Sequence, residues 1–297
     1  MREKTAEMRG NGASRVRRKS QFGLILKRLA RNKLAILGMV FVIIVVLAAI
    51  FADVIAPYDY AKQDLSSSML YPSAEHLFGT DNFGRDILSR VIYGGRISLL
   101  VSVVAIAIAL VIGCFIGIVA GYFGGKVDGF LMRLMDVLMA IPAFLLAVCI
   151  SAALGTGIRN TSIAIAVGCV PGYARLMRAQ VMSLRNQEFV ESARMCGCSS
   201  MRVMLRHIMP NTLSTIIVDS TLRLGACIMI ISSLSFIGLG VQPPIPEWGS
   251  MLSAGREYIR DFWPMVTFPG LAIMVTLFGF NLFGDGLRDA LDPRLKR

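Results

Sequence analysis

The sequence predicts an all-α, polytopic membrane protein with about six transmembrane helices. Of its 297 residues, 55% are hydrophobic and only 17% charged, too few for a soluble chain of this length to cover its surface. Several uncharged apolar runs reach the roughly 20 residues that cross a bilayer. The net charge of +12 sits mostly in loops and tails beside those runs. A positive-inside bias therefore accounts for it better than a nucleic-acid surface does.

Residues 1–33 read as a basic cytoplasmic tail, with Arg15, Arg17, Arg18, Lys19, Lys27, Arg28, Arg31 and Lys33. The first apolar run, Leu34 to Ala52, is longer than a typical signal-peptide core and lacks an obvious small-residue cleavage site, so it is expected as a retained anchor over 34–55. Residues 56–96 are turn-rich, with Pro57, Pro72, Gly79 and Gly84, and alternation places them outside. Asp81, Arg85 and Asp86 read there as a solvated, internally paired loop. A second span is expected from Ile97 to Phe123. Its Gly113, Gly117 and Gly121 suit close helix packing, or equally the general glycine enrichment of membrane helices. Next, GYFGGKVDG is a near miss for a phosphate loop: the spacing to Gly125-Lys126 is wrong, and Val127 stands where Ser or Thr is needed. Lys126 and Arg133 fit a short inside loop.

A third span is expected over Leu131 to Leu154, kinked at Pro142, and a fourth over Ser162 to Met182. Asn160-Thr161-Ser162 matches the spacing of a glycosylation acceptor. The fifth span, Thr212 to Leu239, carries Asp219 and Arg223 four residues apart on one face. They form either a structural ion pair or a charged lining of a path. Residues 241–264, with Pro243, Pro244 and Pro246, Trp248 and Gly249, form a second outside loop, a rigid re-entrant or surface turn. The last span covers Met265 to Phe283. Residues 97–287 thus form a five-helix core, and 288–297 a basic inside tail.

Between the fourth and fifth spans lies a polar, basic segment, 183–211, expected inside. Within it, QEFVESARMCGCSSMRVMLRHIMP reads as two short helices with a break. Glu188 and Glu191 favour the positive end of the first. Phe189, Val190, Ala193 and Cys196 recur at helical spacing and predict its apolar face, and Glu191 can pair with Arg194. Gly197 can end the helix in a left-handed conformation, Ser199 or Ser200 can cap the second, and Pro210 marks the next boundary.

The composition narrows the function classes. An enzyme needs a convergent catalytic set, whereas the 2 histidines, His76 and His207, fall on opposite sides of the membrane in this topology. Cys196 and Cys198 lack a second ligand pair, so no metal is expected, and the loops placed outside hold no Cys to form disulfides. A secondary transporter usually shows coupling charges at mid-membrane or repeated halves; Asp219–Arg223 is the one such pair, and no repeat is evident.

Four stretches resemble one family. Glu191-Ser192-Ala193, Gly197, Ile208 and Pro210 resemble the EAA loop of ABC importer permeases, with Ser192 where the family usually has Ala. HLFGTDNFGRDILSRVIYGGRISL, His76 to Leu100, closely resembles the signature of the dipeptide, oligopeptide and nickel branch. LSFIGLG and PPIPEWGSML also match, although Ile231 stands where some relatives carry an acidic residue. The resemblance runs from Leu24 onward and implies a type I ABC importer permease fold in a bacterial cytoplasmic membrane, with both termini inside. It implies a second homologous permease, two ATPase subunits that bind ATP, an extracytoplasmic substrate-binding protein and surrounding lipid as partners, with no cofactor or catalytic residue in this chain. Glu188, Glu191, Ser192, Ala193, Arg194, Gly197 and Pro210 would couple it to the ATPases. The substrate expected is a di- or oligopeptide, with nickel or a nickel chelate as the alternative.

Overall fold

The computed structural model describes residues 29–291. The basic tail up to residue 28 and the last six residues, 292–297, lie outside the described residues. The described chain is helical, and the one β-pairing within it is an isolated antiparallel bridge between Thr80 and Asp86. The main helices are α1 (Lys33–Ile50), α2 (Ile87–Phe123), α3 (Gly125–Met139), α4 (Ala143–Leu154), α5 (Ile158–Leu184), α6 (Glu188–Met195), α7 (Met209–Phe236), α8 (Trp248–Gly255) and α9 (Pro264–Leu291).

Four helical stretches are long and apolar enough to cross a membrane: α1, α2, the continuous run Ser200–Phe236 that includes α7, and α9. Counting the bent pair α3–α4 as one span makes five. The remaining expected span is α5. It is 27 residues long, and Arg159, Arg175 and Arg178 dilute its apolar content. Its place is set by packing, because α2 and α5 share the most extensive helix contact in the molecule.

That contact is built by glycine. A Cβ at Gly113 would lie 2.6 Å from the Tyr173 Cβ, one at Gly117 2.7 Å from the Met177 Cβ, and one at Gly121 2.8 Å from the Val181 Cβ. The backbones are therefore in direct contact over two turns, which maximises dispersion where lipid offers no hydrophobic drive. Of the two sequence readings of these glycines, the packing one is correct. Gly117→Leu must push the Met177 side chain and the Ala174 carbonyl aside. It is expected to destabilise the subunit by about 1–3 kcal/mol or more. Gly129→Ala, with nothing within 4 Å, is expected to be neutral or stabilising. Thermal unfolding of both variants in detergent checks the contrast.

The N-terminal anchor is part of the same body. Asn32 caps α1 by accepting from the backbone N–H groups of Leu34 and Ala35. Gly38 then lies against the α9 backbone at Gly279 and Phe283, and Gly286 of α9 against Ala35.

Several boundaries differ from the sequence reading; α9, for one, runs on to Leu291, past the expected end at Phe283. The second span starts at Ile87 rather than Ile97, because the Asp86 carboxylate accepts from the Ser89 N–H and hydroxyl, both at 2.7 Å, and caps the helix there. The third span is two helices meeting at 83°. Pro142 has no N–H to donate, and it disfavours helical backbone at Ile141. The chain breaks at 140–142 instead of kinking, and Lys126 and Arg133 lie on helix α3 rather than in a loop.

The loop between α1 and α2 is paired internally, as expected, but it is buried rather than solvated. Asp81, Arg85, Asp86 and Arg90 are each at most 6% exposed. Gly84, at φ +70°, presses on the Asp64 carbonyl where no side chain could fit. The Asp64 carboxyl itself is held below its ordinary pKa by hydrogen bonds from the Ser66 and Ser67 hydroxyls and the Ser66 N–H. Thr80 donates to the Ser67 carbonyl at 2.5 Å and accepts from the Leu70 N–H. The dense motif around Phe78–Arg90 is thus the framework of a folded cap.

Candidate functional site: the polar segment 183–211 and the helix that follows it

The α6 helix forms over Glu188–Met195, with Glu188 and Glu191 in its first turn and Arg194 in its last, as the dipole argument requires. Its buried face is narrower than the spacing suggests. Val190 and Ala193 are buried against the core, while Phe189 and Cys196 are exposed. The helix is a single short layer on the end of the bundle and has only one side to bury.

Arg194 does not pair with Glu191 among the described residues. Its guanidinium lies over the Tyr122 ring, 5.0 Å from the centroid, an attraction of cation to π face that ties α6 to the end of α2. Arg185 adds a second tie by donating to the Gly121 carbonyl at 3.1 Å. Glu188, Glu191 and Ser192 are left exposed on the opposite side.

Gly197 sits at φ +77°, and its N–H donates to the Arg194 carbonyl at 2.9 Å, with Cys198 N–H reaching Ala193 O at 3.1 Å. This is the left-handed helix end the sequence predicts. A Cβ at Gly197 would meet nothing within 4 Å, so the glycine is required by backbone conformation alone. Ser199 takes the cap position of the next helix, yet its side chain makes no cap hydrogen bond.

The expected second short helix does not exist as a separate unit, and Pro210 does not end it. Ser200–Arg202 runs through a π-helical turn, Val203–Ile208, into α7. The wide turn accommodates the ring and missing N–H of Pro210, which in a regular helix would collide with the carbonyl four residues before it. The result is one helix of 37 residues, Ser200–Phe236, roughly 55 Å long at 1.5 Å per residue.

About five turns along that helix, Asp219 and Arg223 form an ion pair, with about 30% of each side chain exposed (28% and 31%). Arg223 also stacks over Tyr173, 4.9 Å from the ring centroid, and rests against Gly172 of α5. Asp219 lines a cavity of about 580 Å³ with Leu176, Asn211, Ser214 and Arg288. The pair therefore joins α7 to α5 and borders a cavity as well. Asp219→Leu leaves the half-buried guanidinium without its partner and is expected to cost about 1–3 kcal/mol. Replacing both with Leu should recover part of that loss. Detergent melting of the single and double variants measures it.

Sequence spacing missed the contacts between distant segments. Asp128 of α3 binds Arg178 of α5 through two hydrogen bonds of 2.5 and 2.6 Å, and Asp136 binds Arg175 at 2.5 Å. These pairs hold the amphipathic α3 across α5. The signal in the sequence was a pair of acids, Asp128 and Asp136, in one stretch and a pair of bases, Arg175 and Arg178, in another.

Residues 113–297 match the model of the family described as binding-protein-dependent transport system inner membrane component. Residues 20–72 match the N-terminal transmembrane domain of oligopeptide transport permease C. A dipeptide transport system permease protein of Alkalihalophilus pseudofirmus is 46% identical over 270 residues, covering 91% of this chain and 89% of the relative. A glutathione transport system permease protein of Escherichia coli O6:K15:H31 is 48% identical over 271 residues, with the same coverage. A di/tripeptide transport system permease protein of Pseudomonas aeruginosa is 44% identical, covering 90% of each chain. Among solved structures, the MetNI methionine ABC transporter in inward-facing conformations has a chain that superimposes with a TM-score of 0.54 at 15% identity, over 68% of this chain and 97% of that one. This likeness shows a shared fold.

Proposed function

Because the chain belongs to the family of binding-protein-dependent transport system inner membrane components, we propose that it is the permease subunit of an ATP-driven importer of short peptides. The observation that carries this reading is the geometry of 187–236. A short helix with exposed Glu188, Glu191 and Ser192 is clamped to the bundle by Arg194 and Arg185 and leads through Gly197 into one 37-residue helix. An exposed docking face rigidly joined to a long helix is the arrangement a lever needs. Two ATPase subunits, which bind and hydrolyse the ATP, would grip α6 on the cytoplasmic side. Their closure moves α6, and α7 carries the displacement along its length towards the far side of the membrane.

In this reading a second homologous permease completes the path, and an extracytoplasmic binding protein delivers substrate to the face carrying the 56–86 cap. Both termini lie in the cytoplasm, where their basic residues belong. The peptide substrate is supported by the dipeptide, di/tripeptide and glutathione transporters that this chain resembles at 44–48% identity.

The experiment is uptake of a labelled dipeptide and of labelled nickel in cells with and without this gene. Loss of dipeptide uptake alone is the expected result. Loss of nickel uptake alone would overturn the substrate and leave the coupling geometry standing. If neither uptake changes on deletion, the peptide reading is rejected for short chains, and longer peptides are the next probe.

A further inference from the structure

Glu247 is 0% exposed, and none of the ion pairs among the described residues involves it. It caps α8: Oε2 accepts from the Ser250 N–H at 3.0 Å. A cap requires only a short acceptor, and Ser, Thr, Asp or Asn is the usual choice. The longer side chain brings Oε1 to two further helices. Ser98 of α2 donates to it at 3.1 Å, and Ser232 of α7 at 3.4 Å.

The neighbours of Glu247 strengthen the same junction. Gly249 lies directly on the α7 backbone at Ser232 and leaves no room for a Cβ. Trp248 covers Gly94 and Gly95 of α2, where added Cβ atoms would sit 3.0 Å from its ring. Its Nε1–H donates to the Val91 carbonyl at 2.9 Å. Three consecutive residues thus fasten α8 to both α2 and α7, and Glu247 alone bonds to both.

The position on α7 gives the junction a role. Ser232 stands four residues from the end of the helix that begins at Ser200, just beyond the α6 segment. The two ends of one continuous helix therefore carry α6 and the Glu247 junction. We propose that Glu247 is a positioning residue of the transport cycle: it grips the far end of the α7 lever and makes α2 and α8 follow its displacement. A buried acceptor is suited to this, because water cannot replace its hydrogen bonds inside the bundle. Without the grip, ATP hydrolysis moves α7, while α2 and α8 respond incompletely. The inference rests on the importer reading above.

The test uses the complete importer reconstituted in lipid vesicles with its ATPases, its second permease and its binding protein, and a labelled dipeptide as probe. Uptake and ATP hydrolysis are measured together. For Glu247→Ala the ATP consumed per dipeptide imported is expected to rise by about tenfold, the effect of one buried hydrogen bond, while assembly and hydrolysis continue. Glu247→Gln keeps an acceptor at Oε1 and is expected to restore most of the coupling. Ser98→Ala, which removes one donor and leaves the cap intact, is expected to fall between them. An unchanged ratio in Glu247→Ala overturns the proposal. A proportional fall of uptake and hydrolysis also overturns it, because that is the mark of a merely structural loss. Where Glu247→Ala does not assemble, the Ser98→Ala ratio decides alone. Absence of ATP-dependent uptake by the unsubstituted complex would instead reject the importer reading, so the two failures are distinguishable.

Discussion

Replacing Asp81 with alanine is expected to cost about 3–5 kcal/mol, the range for removing one partner from a buried ionic network. Asp81 Oδ1 accepts from the backbone N–H groups of Phe83 at 2.9 Å and Arg85 at 3.0 Å. Oδ2 accepts from Arg85 Nε at 2.7 Å and lies 3.5 Å from Arg90 Nε. Both arginine side chains are at most 7% exposed, so the variant leaves two buried cations facing each other with no anion between them. Among the described residues Arg90 retains only its hydrogen bond to the Tyr60 carbonyl at 3.0 Å. The cap over the start of α2 should open while the membrane helices stay in place. Limited proteolysis in detergent, measured against a marker site in α6, checks this: cleavage within 56–86 should accelerate strongly and α6 cleavage should not. Asp81→Asn, which keeps an acceptor for the two N–H groups, should cost less. Equal protease resistance of Asp81→Ala and the unsubstituted protein would contradict the account.

Substitution of Gly197 should reduce transport in a graded order, down to its loss with a bulky residue. An L-residue at φ +77° pays about 1–2 kcal/mol of backbone strain, and asparagine pays least. Nothing lies within 4 Å of a Cβ there, so Gly197→Ala adds no clash within the subunit, and its effect measures strain alone, about tenfold on coupling. Gly197→Trp adds bulk on the face proposed to dock the ATPase. It is expected to remove measurable uptake while membrane insertion remains normal. Uptake in the order Gly, Asn, Ala, Trp is the expected series, measured as ATP-dependent dipeptide accumulation at equal subunit levels. Normal uptake by Gly197→Trp would refute the docking face.

The two variants probe different kinds of information. The Gly197 turn was legible in the sequence, because a glycine after a helical run and before Ser199-Ser200 carries its own conformational reason. The importance of Asp81 was legible only as a motif. Its residues looked like an exposed charged loop, and burial reversed that reading. The turn-forming Gly79 and Gly84 fold the loop tightly enough to exclude water from four charged side chains.

The Pro142 and Pro210 outcomes make a similar point. Both prolines were read as local disturbances, one a kink and the other a boundary. At Pro142 the chain breaks fully, and Asp128 and Asp136 bind Arg178 and Arg175 of a helix that the chain reaches only later. At Pro210 a π-turn buried through Val203, Met204 and Ile208 lets the helix continue. Proline prohibits one hydrogen bond in either case, and the surrounding packing decides whether the helix bends, breaks or widens.

By itself the sequence determined the all-helical membrane class, the main apolar helices, the glycine face of α2, the acidic start and glycine end of α6, and the family. Each depends on composition, on periodicity or on conformational limits within a few residues. Tertiary structure alone decided that α2 and α5 are the central pair, that Arg194 rests on Tyr122 rather than Glu191, and that Glu247 joins three helices. These contacts link residues 15 to 149 positions apart in the chain, and local spacing carries no record of which distant side chain will complete a hydrogen bond. In a membrane, where unsatisfied polar groups are costly and apolar burial does not discriminate between neighbours, those distant pairings fix which helices pack together.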